Sequence, residues 1–195
     1  MIKYLVILGA IVQLYGKYFY IKKTLKGQTK PNRMTWLMWS IAPLIASTAA
    51  FSAGATWAVL PVFMSGFAPL LVFFSSFVDK NAYWQLKNYD YLCGIFSALA
   101  IIFWVVTKDP LTAIILAIAS DLIAAIPTFA KCWVSPETES GIAYAAGLFS
   151  ATTSLLAVSS WKLTEYAFPL YLIIINYLLV FAIYRKRSRK ESLLE

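Results

Sequence analysis

Apolar runs of membrane-spanning length recur seven times along this 195-residue chain, and short charged connections separate them. The runs cover about 4–21, 34–53, 56–78, 90–107, 110–130, 141–160 and 165–184. A helix needs about 20 consecutive apolar residues to cross a hydrocarbon core, and each run is near that length. Only 13% of residues are charged against 61% hydrophobic, whereas a soluble domain carries about a quarter charged. The pattern predicts an all-α integral membrane protein. Connections as short as Ala53-Gly54 and Lys108-Asp109-Pro110 predict tight antiparallel hairpins. The apolar N-terminus carries no A-x-A-like cleavage site and reads as a retained first helix rather than a removed signal.

Basic residues set the expected orientation. One side collects Lys22, Lys23, Lys26, Lys30 and Arg33, then Lys80 and Lys87, then Lys131, then Arg185, Lys186, Arg187, Arg189 and Lys190. The other side has Lys3, Lys108 and Lys162. Lys and Arg accumulate on the cytoplasmic side, so the N-terminus is expected outside and the C-terminus in the cytoplasm. The net charge of +8 follows from this bias and from a basic tail suited to anionic lipid, so no nucleic-acid partner is implied. The chain has no histidine, and Cys93 and Cys132 are too far apart to form a local motif. No catalytic constellation or metal pattern emerges. The expectation is a protein that is not an enzyme and needs no cofactor.

The sequence aligns with itself at an offset of 108 residues, which places Gln13 on Asp121, Pro61 on Pro169 and Leu70-Leu71-Val72-Phe73 on Leu178-Leu179-Val180-Phe181. The same offset superposes spans 1, 2 and 3 on spans 5, 6 and 7. A three-helix unit ends opposite its start, so one further helix is needed to give the second copy the same orientation. The expected organisation is a first three-helix repeat (1–78), a loop and linker helix (79–109), a second repeat (110–184) and a basic tail (185–195). Parallel repeats of this kind place substrate sites near the bilayer midplane, between the halves.

With Ile126-Pro127-Thr128-Phe129 and the polar loop that follows, this three-plus-one-plus-three plan resembles the SWEET / PQ-loop superfamily of small-solute transporters. The resemblance implies alternating access around a central site, by uniport or proton-linked transport, with a sugar or other small polar metabolite as substrate. It also implies hinge prolines, for which Pro43 and Pro127 stand at matching positions, while their repeat mates are Phe19 and Ala151. The family's asparagine beside a proline in each third helix is replaced by Val62 and Leu170. A vitamin or nucleoside carrier of similar build, and a non-transporting receptor or assembly factor, are alternatives. Homo-oligomerisation stays open.

Individual residues sharpen the expectation. Asp121 lies mid-span in AIASDLIAAIP, where an ionisable group faces a bundle interior or a watery cavity. Gln13 is its repeat mate, and Lys17 sits one helical turn from Gln13. Asp121 either contacts a solute or pairs with Lys17 or an amide to join the repeats, and Lys17 by itself would snorkel to the near interface. Asn176 is an amide among aliphatics, suited to a pocket or to an interhelical hydrogen bond. Trp36 and Trp39 share a helix face and can stack on a planar solute, whereas Trp57, Trp104, Trp133 and Trp161 suit an interfacial belt. The basic turn of Lys30 and Arg33 falls opposite Glu137 and Glu139 in the second repeat. A salt bridge between the two pairs would form a cytoplasmic gate.

Overall fold

The computed structural model describes residues 2–52, 60–80, 82, 84–106, 110–158, 161 and 163–191. Within these residues the chain forms seven α-helices: α1 (Ile2–Thr24), α2 (Arg33–Ser52), α3 (Leu60–Ser75), α4 (Asn88–Val106), α5 (Pro110–Val134), α6 (Gly141–Leu156) and α7 (Leu163–Glu191). A 3₁₀ turn, Pro136–Thr138, precedes α6. Each α-helix coincides with one apolar run. Several extend a turn beyond it, because Lys22, Lys23 and Lys131 continue the helical hydrogen bonding and sit where cations favour a helix C-terminus. α7 continues through the basic residues of the tail to Glu191. The expected turns at Ala53-Gly54 and Lys108-Asp109, together with Trp57 and the side chain of Trp104, lie outside the described residues.

Among the described residues, three helices are long and apolar enough to cross a membrane: Tyr4–Thr24, Ile114–Val134 and Tyr166–Arg185. Phe63–Ser75, Asn88–Phe103 and Gly141–Leu156 are shorter apolar helices. The exterior is apolar along whole helix faces, with Ile7, Ile11 and Tyr18 exposed on α1, Ile95, Ile102 and Phe103 on α4, and Ile174 and Phe181 on α7. Meanwhile Lys17, Asn32, Asp90, Lys131 and Glu139 are buried. A monomer in water rarely shows apolar faces of this extent, and the exterior fits hydrocarbon better than water.

The helices pack in a regular order. Among the described residues α3 stands between α1 and α2, and α7 between α5 and α6. The two trios meet where α1 lies along α6 and α2 along α5, and α4 packs on α5 and α2. Ser97 and Ser120 exchange hydrogen bonds of 2.8–3.0 Å between α4 and α5, closing both hydroxyls within the protein. Small residues permit the closest approaches, as they do between helices in lipid. A Cβ on Gly16 would collide with Ala146 and reach 3.2 Å from the Ile142 carbonyl on α6. A Cβ on Gly66 of α3 would come within 2.8 Å of the Ser40 carbonyl on α2.

A Gly16→Val protein is therefore expected to unfold at lower temperature in detergent, by overpacking worth about 1–3 kcal/mol. An unchanged unfolding temperature would show that α1 and α6 are not so closely apposed.

Candidate functional site

A cavity of about 470 Å³ lies between the two helix trios. Gln13 and Lys17 reach it from α1, Trp39 and Pro43 from α2, and Ser65 and Pro69 from α3. The second trio contributes Asp121 from α5, Tyr144, Gly147 and Ser150 from α6, and Phe168, Pro169 and Asn176 from α7. Its size falls within the range of small-molecule sites, about 300–1,000 Å³. The walls are mainly apolar, and the polar groups converge from opposite sides.

Asp121 is fixed at one wall. Its Oδ2 accepts a 2.7 Å hydrogen bond from the Tyr171 hydroxyl, and its backbone carbonyl accepts from Trp39 Nε1 at 3.3 Å. Thr35 Oγ1 donates to the Ala124 carbonyl one turn further on, at 2.7 Å. Two α2 side chains thus grip the α5 backbone just ahead of Pro127. Opposite, Lys17 does not snorkel. It is 6% exposed, with its ammonium 4.7 Å from the Trp36 ring centroid and 5.5 Å from that of Tyr144. The reason is the face on which Lys17 stands. It points to α2 and α6, where two aromatic faces attract a cation, and not along the outer wall of α1.

Gln13 Oε1 accepts a 3.2 Å hydrogen bond from Ser150 Oγ, joining α1 to α6. Asn176 Nδ2 donates to the Leu172 carbonyl of its own helix at 2.8 Å, and its Oδ1 lies over Gly147. Trp36 is fully buried beneath Lys17 and packs on Tyr20, Trp39 and Tyr144, so it supports the cavity and is not among its lining residues. Pro43 lines the cavity, while Pro127 is buried away from it. Pro69 and Pro169 also line it. Sequence reasoning passed over Pro69, although a proline inside an apolar run was the available signal. Tyr144 and Tyr171 were missed as well. Tyr144 stands at the offset of 108 from Trp36 and could have been found there. Trp133 and Trp161 are exposed, as belt residues would be.

One end of the cavity is capped by a buried polar cluster. Glu139 forms an ion pair with Lys131 and accepts hydrogen bonds from the hydroxyls of Tyr20 and Tyr144, both at 3.0 Å. Lys131 also donates to the Lys30 carbonyl, and the Lys30 N–H donates to the Thr138 carbonyl at 2.8 Å. The charges are thus arranged differently from the expected bridge between basic turn and acidic turn. The cation for Glu139 comes from the end of α5, eight residues before it, because the 3₁₀ turn folds Glu139 back over Lys131. Lys30 joins the cluster through its backbone, with an exposed side chain, and Glu137 is exposed too. Arg33 donates to Ser76 Oγ at 3.0 Å and to the Ser76 carbonyl at 2.7 Å, and its guanidinium lies 4.0 Å over the Phe77 ring.

The turn before α2 ties three connections together. Asn32 Oδ1 caps α2 through the Thr35 N–H at 3.2 Å, and Asn32 Nδ2 donates to the buried Asp90 at the start of α4. Among the described residues no group of His, Cys, Asp and Glu is placed to hold a metal ion. Compared with known proteins, the chain matches no family model, no curated protein and no solved structure.

Removing one partner of a fully buried ion pair costs about 3–5 kcal/mol. Glu139→Gln is expected to lower the unfolding temperature sharply, whereas Glu137→Gln at an exposed position stays within about 0.5 kcal/mol of the parent. Equal effects at the two positions would contradict the cluster.

Proposed function

We propose that this protein is a small-solute membrane transporter working by alternating access, with the cavity between its helix trios as the solute site. The observation that carries this reading is the cavity itself, lined by Gln13, Lys17, Asp121 and Asn176 between two groups of helices. A closed, dry core at this place would favour a receptor or assembly factor instead.

The packing order supports two parallel repeats joined by α4. The α1–α3–α2 arrangement is repeated by α5–α7–α6, and the α1–α6 contact has α5–α2 as its counterpart. Residues related by the offset of 108 meet at the cavity: Gln13 with Asp121, Trp39 with Gly147, and Pro43 with Ala151. A fourth pair, Trp36 and Tyr144, stacks with ring centroids 6.3 Å apart beneath Lys17. This is the arrangement expected when two copies of one unit face each other across a substrate site. It also supports a seven-span topology with the basic connections on the cytoplasmic side.

On this reading the Glu139 cluster is the closed cytoplasmic gate. The cavity lining runs the other way, from Lys17 and Tyr144 towards Ile114 and Phe168, near the starts of α5 and α7. The conformation is then outward-facing. Opening to the cytoplasm requires Tyr20 on α1 to part from Glu139. Proline removes a helical hydrogen bond, so Pro43, Pro69 and Pro169 give the cavity walls places to bend.

The test needs no knowledge of the solute. In a Cys93→Ser, Cys132→Ala background, Ser150→Cys places a thiol on the cavity wall. A membrane-impermeant maleimide is expected to modify it in right-side-out vesicles and, more slowly, in inside-out vesicles. Modification from one face alone, or from neither, would rule out alternating access.

A further inference from the structure

The two charged residues of the cavity are of opposite sign and do not neutralise each other. Among the described residues no side chain forms a hydrogen bond or ion pair with the Lys17 ammonium, which is held instead by two aromatic rings. Across the cavity the Asp121 carboxylate is engaged by the neutral donor Tyr171, with Trp39 Nε1 beside it on the Asp121 carbonyl, and by no cation in direct contact. Lys17 feels the negative charge of Glu139 first and that of Asp121 second, and touches neither. Burying an ammonium and a carboxylate apart is costly, because each loses water and neither forms a direct ion pair. A direct ion pair would relieve that cost. Separation across a cavity leaves both charges available to a third body.

The ligand chemistry follows from this arrangement. A lone anion drawn to Lys17 would meet the Asp121 carboxylate, and a lone cation drawn to Asp121 would meet Lys17. A neutral polyol can hydrogen-bond both groups but brings a counter-charge to neither. A molecule carrying its own carboxylate and ammonium a few bonds apart satisfies both. We propose that the cavity binds a zwitterion of the α-amino-acid type, its carboxylate towards Lys17, its ammonium towards Asp121, and its side chain against Trp39, Phe168 and Leu172. The apolar walls select a large apolar side chain over a polar one. This assignment rests on the cavity being a solute site, but it is a claim about binding and does not depend on transport.

Binding to the purified full-length protein in detergent is read as the ligand-induced rise in unfolding temperature. The probes are L-leucine, L-methionine, L-phenylalanine and L-tryptophan, each titrated to about 10 mM, a range that resolves weak sites. At least one is expected to give a saturable rise. For that amino acid, the amide (carboxylate removed) and the N-acetyl derivative (ammonium removed) are expected to bind about tenfold more weakly or worse, as loss of one partner of a buried charge pair requires. Glucose is expected to give no rise. Lys17→Met should weaken the amino acid but not its amide, which already lacks the group that Lys17 meets. Asp121→Asn should likewise weaken the amino acid but not its N-acetyl derivative. These matched losses separate ligand contact from a merely structural role. If either variant fails to fold, the capped-ligand comparison on the parent protein still decides.

The proposal is overturned if none of the four amino acids gives a rise, or if both capped forms bind as well as the parent amino acid. Amino-acid binding in a protein whose Ser150→Cys thiol is reached from one face only would retain the zwitterion site and remove the transport reading.

Discussion

The Glu139 carboxylate is the point on which the arrangement of helices depends. Lys131 reaches it from the end of α5, Tyr20 from α1 and Tyr144 from α6, while the Lys30 carbonyl shares the same ammonium. The side chains of Glu139, Lys131, Tyr20 and Tyr144 are withdrawn from solvent, so none can exchange its partner for water at low cost. The cluster therefore sets how far apart the trios stand at one end. Tyr144 transmits that setting inward, because its hydroxyl ends on Glu139 while its ring stacks with Trp36 and faces Lys17. The Glu139 cluster and the cavity share a side chain. A change at one cannot leave the other unmoved.

The cavity is the second consequence of how polar groups are distributed. With an apolar exterior, the polar side chains are gathered inside, where each must find a partner or a vacant space to share. Ser97 with Ser120, and Asn32 with Asp90, solve this in pairs. Gln13 with Ser150 and Asp121 with Tyr171 solve it only partly. Lys17 solves it with aromatic faces alone. Buried polar atoms without a hydrogen bond also occur away from the cavity, at Trp84, Thr128, Ser140 and Arg185, but only the partly satisfied groups of the cavity wall stand beside space for a ligand.

The helices were legible in the sequence because an apolar run bounded by charges leaves the backbone little alternative in lipid. Their ends were less so, since Lys22, Lys23 and Lys131 extend helices that composition alone would have stopped. The polar residues of the cavity stood out for a related reason. Asp121, Gln13 and Asn176 are conspicuous among aliphatics, and the offset of 108 already set two of them at one depth. Lys17 was harder, because snorkelling and inward caging differ only in which helix face meets protein, and that is decided by α2 and α6. The partner of Glu139 was hidden for the same kind of reason. Lys131 lies close in sequence, but only the 3₁₀ turn brings the two together. Charge counting treated Lys131 as a marker of orientation, and its role in the cluster came from geometry.

The central claim is that the trios move as units about the cavity while the Glu139 cluster opens and closes. Spin labels at Lys26 and Glu137, both exposed and on opposite trios, report this directly by double electron–electron resonance in proteoliposomes of the cysteine-free protein. Two distance populations are expected, the shorter matching the joined state in which Lys30 meets Thr138. Glu139→Gln should move weight to the longer one. A single narrow distance that Glu139→Gln leaves unchanged would contradict the account.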